Sequence, residues 1–281
     1  MPGMSVEEII EKAIREDIGD GDHTSLSIIP SDARGMAALV IKEEGILSGV
    51  DVARKVFRAV DADIVFKEYI PDGSRVFPGN IAFEVEGRSV SILAGERLAL
   101  NFMQRMSGIA TYTRFLADKI KGTGAIILDT RKTTPNLRIL EKEAVRTGGG
   151  HNHRMGLYDM VMIKDNHVDF AGGISRAIDA ARDYLKRKNL DLRIEIEVRN
   201  FNELQEVLDH GKIDRIMLDN FSPAGLRNAV EMIGKRYETE ASGGIKEINI
   251  REYAETGVDF ISVGALTHQI KSLDMSLKAV T

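Results

Sequence analysis

From about residue 122 onward, short apolar runs alternate with amphipathic stretches, and this rhythm limits the possible folds more than any other feature of the sequence. The runs are AIILDT (125–130), DMVMIKDN (159–166), RIEIEVRN (193–200), RIMLDN (215–220), TEASGG (239–244) and FISVGAL (260–266). Between them lie ISRAIDAARDYLKRK (174–188), FNELQEVLDH (201–210), SPAGLRNAVEMIGKR (222–236) and IKEINIREYAETG (245–257), whose apolar residues recur at helical spacing. Repeated strand-then-helix predicts a parallel sheet wrapped by helices. Six units fall short of the eight of a full barrel, so the pattern predicts a closed or partly open barrel. A doubly wound open sheet fits the same period almost as well. The first hundred residues mix helix and strand signals irregularly. They carry a helix near 5–17, strands in 36–49, a helix over 50–62, Pro- and Gly-broken strands to about 93, and a long helix from Ala94 with a possible kink at Gly108.

In parallel α/β barrels the reacting groups gather where the strands end. Here the first run ends in Asp129-Thr130-Arg131-Lys132 and the second in Lys164-Asp165-Asn166-His167. The third carries Glu195 and Glu197, two apart and therefore on one side. The fourth ends in Asp219-Asn220, the fifth in Ser242-Gly243-Gly244, and the sixth has Gly264. Turns favour polar residues and glycine in any protein. The endings nevertheless sort by chemistry, into cations, then carboxylates, then glycines. Cations accept an anion, with Arg suited to bidentate carboxylates. Carboxylates hold Mg²⁺ or sugar hydroxyls. Glycines let backbone N–H groups converge on a phosphate. One pocket of all three kinds would suit a phosphorylated sugar, a divalent ion and a carboxylated co-substrate.

The concentration of positive charge is local. The whole chain has net charge −5, yet residues 146–167 contain Arg146, Arg154 and Lys164 beside His151, His153 and His167, half of the six histidines. An acidic chain without Trp argues against general nucleic-acid binding. No apolar run approaches a membrane span, and the acidic amphipathic N-terminus does not read as a signal peptide. Zero cysteines exclude thiolate chemistry and point to a reducing cytoplasm.

The segments GERLALN (95–101), LDTRKTTPNLR (128–138), GGGHNHRMGL (148–157), IKDNH (163–167), IEVRN (196–200), LDN (218–220), SGGI (242–245) and VGALTH (263–268) resemble the quinolinate phosphoribosyltransferase family, nearly end to end. The resemblance implies an α/β fold, with an N-terminal α/β sandwich over 1–110 and an incomplete, six-stranded TIM-like barrel over 111–267. It also implies a C-terminal helix, 268–281, packed back on the first domain. The implied reaction joins quinolinate to phosphoribosyl pyrophosphate, giving nicotinate mononucleotide, pyrophosphate and CO₂ for NAD biosynthesis. Arg97, Thr130, Arg131, Lys132, His153, Arg154 and Lys164 match its quinolinate residues, with Arg97 reaching the partner's site in a homodimer. Glu197 and Asp219 match its acidic pair at the ribose and Mg²⁺, and with Lys132 its catalytic group. Ser242, Gly243, Gly244, Val263, Gly264 and Ala265 match its 5′-phosphate site. Either Glu195 or Glu197 could be the ribose-side acid, and Glu197 lies nearer the strand's end. Competing readings are a paralogue acting on another acceptor, a non-catalytic phosphometabolite-binding barrel, and a metal hydrolase using the His151-x-His153 pair. The 148–150 triple glycine reads as a place where backbone passes close to a ligand. His167 reads as a supporting donor, His23 as a turn residue, and His210 and His268 as structural.

Overall fold

The computed structural model describes residues 4–280. In chain order the elements are α1 (Val6–Ile18), α2 (His23–Ile28), β1 (Arg34–Ile41), β2 (Gly45–Ile46), α3 (Val50–Val60), β3 (Val65–Glu68), β4 (Arg75–Val76), β5 (Ile81–Arg88) and α4 (Ser89–Lys119). There follow β6 (Ile126–Leu128), α5 (Arg138–Thr147), β7 (Val161–Ile163), α6 (Asp165–Ala171), α7 (Ile174–Lys188), β8 (Ile194–Val198), α8 (Phe201–His210) and β9 (Arg215–Asp219). The last are α9 (Pro223–Ile233), β10 (Glu238–Ser242), α10 (Ile250–Ala254), β11 (Phe260–Ser262), α11 (Ala265–His268) and β12 (Met275–Val280).

Two compact units interleave along the chain. The first joins 1–114, 132–149 and 265–281, and the second joins 115–131 and 150–264.

The first unit is built on an antiparallel sheet of order β12-β1-β5-β3. Phe57, Phe66 and Phe83 stack edge and face over it, with Phe57 and Phe83 fully buried. Each such side chain is worth about 1.5–3 kcal/mol of hydrophobic stabilisation. At the amino end, Ser5 and Glu8 form a reciprocal capping box that starts α1. The resemblance's C-terminal helix is not present. Residues 275–280 are a strand, pairing with β1 from Met275↔Ile41 to Val280↔Met36. Alternating Met275, Leu277 and Ala279 with polar neighbours suits an edge strand better than a helix. The expected kink at Gly108 is also absent, and α4 runs unbroken through it. Gly108 marks a close approach instead, since a Cβ there would lie 2.3 Å from the Lys271 carbonyl oxygen.

The second unit holds all six predicted strands in one parallel sheet of order β6-β11-β10-β9-β8-β7. The strands are largely buried, as expected for a parallel sheet covered by helices, with Glu195, Glu197, Arg215 and Glu240 buried among the apolar residues. Sequence and structure part at 245–257, where only Ile250–Ala254 is helical. The Asn249 side chain accepts the Lys246 N–H at 2.7 Å, so a turn replaces the expected first helical turns.

Candidate functional site

Register decides which side chains share the carboxyl edge of the sheet in the second unit. Ile163 pairs with Ile196, Val198 with Leu218, Asp219 with Ser242, Ala241 with Ile261, and Ser262 with Leu128. All six strands therefore end nearly level. Arg131, Lys164, Glu197, Asp219, Ser242 and Gly264 stand at or just beyond their ends along one edge. Period-two alternation places Glu195 and Glu197 on one face of β8, beside Arg215 and Met217 on β9.

At the outer level, Lys164 Nζ lies 3.1 Å from Glu197 Oε2. Lys164 remains 46% exposed, so this pair stays accessible to solvent. Asn220 adopts a left-handed backbone (φ 56) and donates its N–H to the Ser242 carbonyl at 2.8 Å. Its side-chain amide donates to Asp219 Oδ2 at 2.6 Å. Gly243, with φ +91, must pass this turn closely: a Cβ would come within 2.2 Å of Asn220 Oδ1. Only glycine meets both conditions. Arg154 donates to the Met160 carbonyl at 3.2 Å. Its pKa is lowered, first by burial and then by the charge of neighbouring Arg131. Two guanidinium groups thus sit close enough to repel one another, an arrangement that an anion between them would relieve.

Below this level lies a buried ionic layer that the sequence reading left unassembled. The 150–153 segment runs beside β6: His151 N–H donates to Ile127 O at 2.8 Å, and Asp129 N–H to His151 O at 3.2 Å. Buried Asp129 accepts the His153 N–H at 2.8 Å, turning the His153 ring into the sheet's inner face. There Nε2 stands 2.9 Å from Glu195 Oε2 and 3.4 Å from Glu240 Oε2. Arg215 reaches Glu240 at 3.1 Å and stacks over the Phe260 ring at 4.1 Å. Burial lowers the His153 pKa, but hydrogen bonds to Glu195 and Glu240 and their charges outweigh it and raise it to about 9. Burial, then the Glu240 charge, raises Glu195. The signal for this layer was present in the sequence: charged residues at positions 195, 215 and 240 fall inside runs of strand length.

His153, Glu195 and Glu240 are spaced so that they could hold a cation. The two carboxylates argue against it. They raise the His153 pKa to about 9, so near neutral pH both ring nitrogens carry protons and neither offers a lone pair to a metal. His151 is exposed and takes no part in that cluster. The His-x-His hydrolase reading thus loses its ligand pair.

Three other expected residues lie in the first unit. Arg97 is exposed on α4, Lys132 begins the loop before α5, and Ala265 begins α11. The triple glycine starts as a packing device: a Cβ on Gly148 would lie 2.5 Å from the Ala110 carbonyl oxygen, against α4. Thr130 is half-buried after β6, and Val263 donates its N–H to Leu128 O at 3.0 Å. Gly244 is exposed with φ +65. His167 Nδ1 accepts the Lys164 N–H at 2.9 Å, a supporting role at the start of α6. His210 pairs with Asp179 at 3.0 Å. His23 opens helix α2 instead of lying in a turn.

Glu197 and Asp219 supply hard oxygen donors on adjacent strands, a donor set that suits Mg²⁺ bridging to phosphates.

Residues 22–107 match the N-terminal domain of quinolinate phosphoribosyl transferase, and residues 109–278 match its C-terminal domain. The chain is 43% identical, over all of its length and 84% of the relative's, to the tobacco protein named quinolinate phosphoribosyltransferase [decarboxylating] 2b, mitochondrial. It is 40% identical to the probable nicotinate-nucleotide pyrophosphorylase [carboxylating] of Bacillus subtilis, covering 99% of this chain and 94% of that one. The solved structure of NadC from Streptococcus pyogenes superposes with a TM-score of 0.92 at 37% identity, covering 98% and 97% of the two chains. That of the nicotinate-nucleotide pyrophosphorylase from Francisella tularensis gives 0.92 at 40% identity, covering 98% and 96%. With both domains matched in order and the sheet's carboxyl edge carrying cations, acids and glycines, this chain belongs to the quinolinate phosphoribosyltransferase family.

Proposed function

We infer that the protein transfers the phosphoribosyl group of phosphoribosyl pyrophosphate to quinolinate and releases CO₂, a step of NAD biosynthesis. The observation that carries this reading is the sorted edge of the parallel sheet: Arg131 and Lys164, then Glu197 and Asp219, then Ser242–Gly243 and Gly264, at one level.

Quinolinate arrives with two adjacent carboxylates, and removing both from water is costly without fixed cations. Arg131, Arg154 and Lys164 provide them, with Arg97 of a partner subunit completing the set in a homodimer. Thr130 offers a hydroxyl to the same acid. The pyridine nitrogen attacks C1 of the sugar, the C1–O bond to pyrophosphate breaks, and positive charge develops on the ribose ring. Glu197 and Asp219 favour that charge electrostatically. Mg²⁺, held by the same two carboxylates, would neutralise charge on the departing pyrophosphate. Lys132 acts beside that leaving group. Backbone N–H groups at Ser242, Gly243, Gly244, Val263, Gly264 and Ala265 receive the 5′-phosphate. Alkylated nitrogen is cationic, so the C2–carboxylate bond can break with its electron pair left next to N⁺. CO₂ departs and C2 takes up a proton, giving nicotinate mononucleotide. No covalent nucleophile is required, only position and charge.

His153 enters as a strut: its ring faces Glu195 and Glu240, and its backbone N–H, held by Asp129, fixes where Arg154 emerges. The same geometry supports Glu197 over Glu195 as the sugar-side acid, since Glu195 is fully buried with His153. Among the described residues no helix is long and apolar enough to cross a membrane. The absence of cysteine supports a reducing cytoplasm as the place of work.

The test is direct. Purified protein given quinolinate, phosphoribosyl pyrophosphate and Mg²⁺ should form nicotinate mononucleotide and CO₂ in equal amounts. Absence of both products, with the protein folded, would overturn the reading.

A further inference from the structure

The loop between Lys132 and α5 carries a group assigned above to the leaving pyrophosphate, yet it contains no regular structure that would fix it. Side chains from α4, α5 and α11 hold it, among them Arg138, which donates through Nε to Thr133 Oγ1 at 2.9 Å. Arg105, on α4, donates through Nε to Glu141 Oε1 at 2.8 Å. Its Nη2 donates to Thr134 Oγ1 at 2.8 Å and to the Thr267 carbonyl at 2.9 Å. Glu141 returns to the loop, its Oε2 accepting the Thr134 N–H at 3.1 Å. From α11, the Thr267 hydroxyl donates to the carbonyl oxygen of Lys132 itself at 2.9 Å. Three separate stretches of the first unit therefore converge on two loop residues, Lys132 and Thr134.

The arrangement is expensive to keep without a purpose. Glu141 and Thr267 are each 1% exposed. A carboxylate that deeply buried depends on its partner, and losing either member leaves an uncompensated charge. Apolar residues of similar volume would fill the same space at little cost in stability. The bonds go to loop backbone and to one loop hydroxyl, the groups whose placement sets where the Lys132 side chain starts.

We propose that Arg105, Glu141 and Thr267 are positioning residues that clasp residues 132–134, so that Lys132 is presented to the reacting centre already ordered. The proposal rests on the reading of Lys132 as a group beside the leaving pyrophosphate. It concerns how the loop is held, and the Arg105–Glu141 pair has no direct part in the chemistry.

Thr267→Val is the cleanest test, because it removes the hydroxyl with little change of shape. Its kcat should fall about tenfold, the worth of one hydrogen bond, while both KM values stay within about twofold. Hydrogen–deuterium exchange in a peptide spanning 132–137 should quicken by a similar factor. Arg105→Lys, which keeps the charge and loses the fork, should show the same pattern more strongly, and Arg105→Ala more strongly still. In a Lys132→Ala background, Thr267→Val should cost almost nothing further in kcat, since a misplaced lysine and a missing one are equivalent. Losses that multiply, or unchanged exchange at 132–137 in folded Thr267→Val protein, would overturn the clasp. A wild-type protein without turnover would reject the functional reading alone, and the exchange measurement would still decide whether these residues hold the loop.

Discussion

The buried His153 makes the sharpest quantitative prediction. Its pKa is raised to about 9, against an ordinary imidazole value near 6.5. A group with a folded-state pKa above its unfolded value binds an extra proton in the native state. The stability it contributes is complete below about pH 6.5 and is lost as pH rises through about 9. That gap corresponds to about 3 kcal/mol. Solvent screening takes little from it, because the side chain is 6% exposed and both carboxylates facing it are fully buried. His153→Gln keeps a polar side chain of similar reach but removes the titration. Urea unfolding of both proteins, at one fixed protein concentration, should be followed at about pH 6.5 and about pH 9.5. The wild type should lose about 3 kcal/mol more than the variant across that window. Carbon-labelled histidine NMR should show one of the six histidines titrating near 9 in the wild type and missing from the variant. Equal pH slopes, with every histidine titrating in its ordinary range, would refute the charged-layer reasoning. His153 would then be neutral, with Glu195 holding the shared proton.

Gly148→Ala and Gly108→Ala should each lower stability by about 1–3 kcal/mol and the Tm by several degrees, because each Cβ would press on a backbone carbonyl; calorimetry reads this, and an unchanged Tm would mean the helix contacts yield freely. Lys164→Ala should reduce kcat/KM for quinolinate by about 10- to 100-fold, the worth of a charged hydrogen bond, with a much smaller effect on the KM for phosphoribosyl pyrophosphate. Exhaustive chelation should abolish turnover and Mg²⁺ should restore it, with substrate-protection calorimetry showing metal-dependent binding of phosphoribosyl pyrophosphate that Asp219→Asn weakens. Arg97→Ala and Arg131→Ala proteins, each inactive alone, should regain part of the activity when mixed under demonstrated subunit exchange; no recovery would count against Arg97 serving the partner's site.

Much of this protein is written in its chain order. The six strands of the second unit were legible because apolar runs of β length, separated by amphipathic stretches, leave few alternatives to a parallel sheet. The placement of Arg131, Lys164, Glu197, Asp219 and the Ser242–Gly244 turn at the strand ends was legible too, since the apolar runs stop beside them. What sequence order could not reveal was depth and direction. Period-two alternation puts Glu195 and Glu197 on the same face. Only the inter-strand register shows that one is sealed against His153 while the other opens toward Lys164. His153 reads as a quinolinate residue next to Arg154, and it is the Asp129 carboxylate, held beside it by the β6 pairing, that turns it inward. The carboxyl-terminal strand and the close approaches at Gly108 and Gly148 depend on partners more than thirty residues away in sequence. Local preference sets which elements can form. Packing between distant segments decides which polar groups lose their water, and with it which of them carry charge.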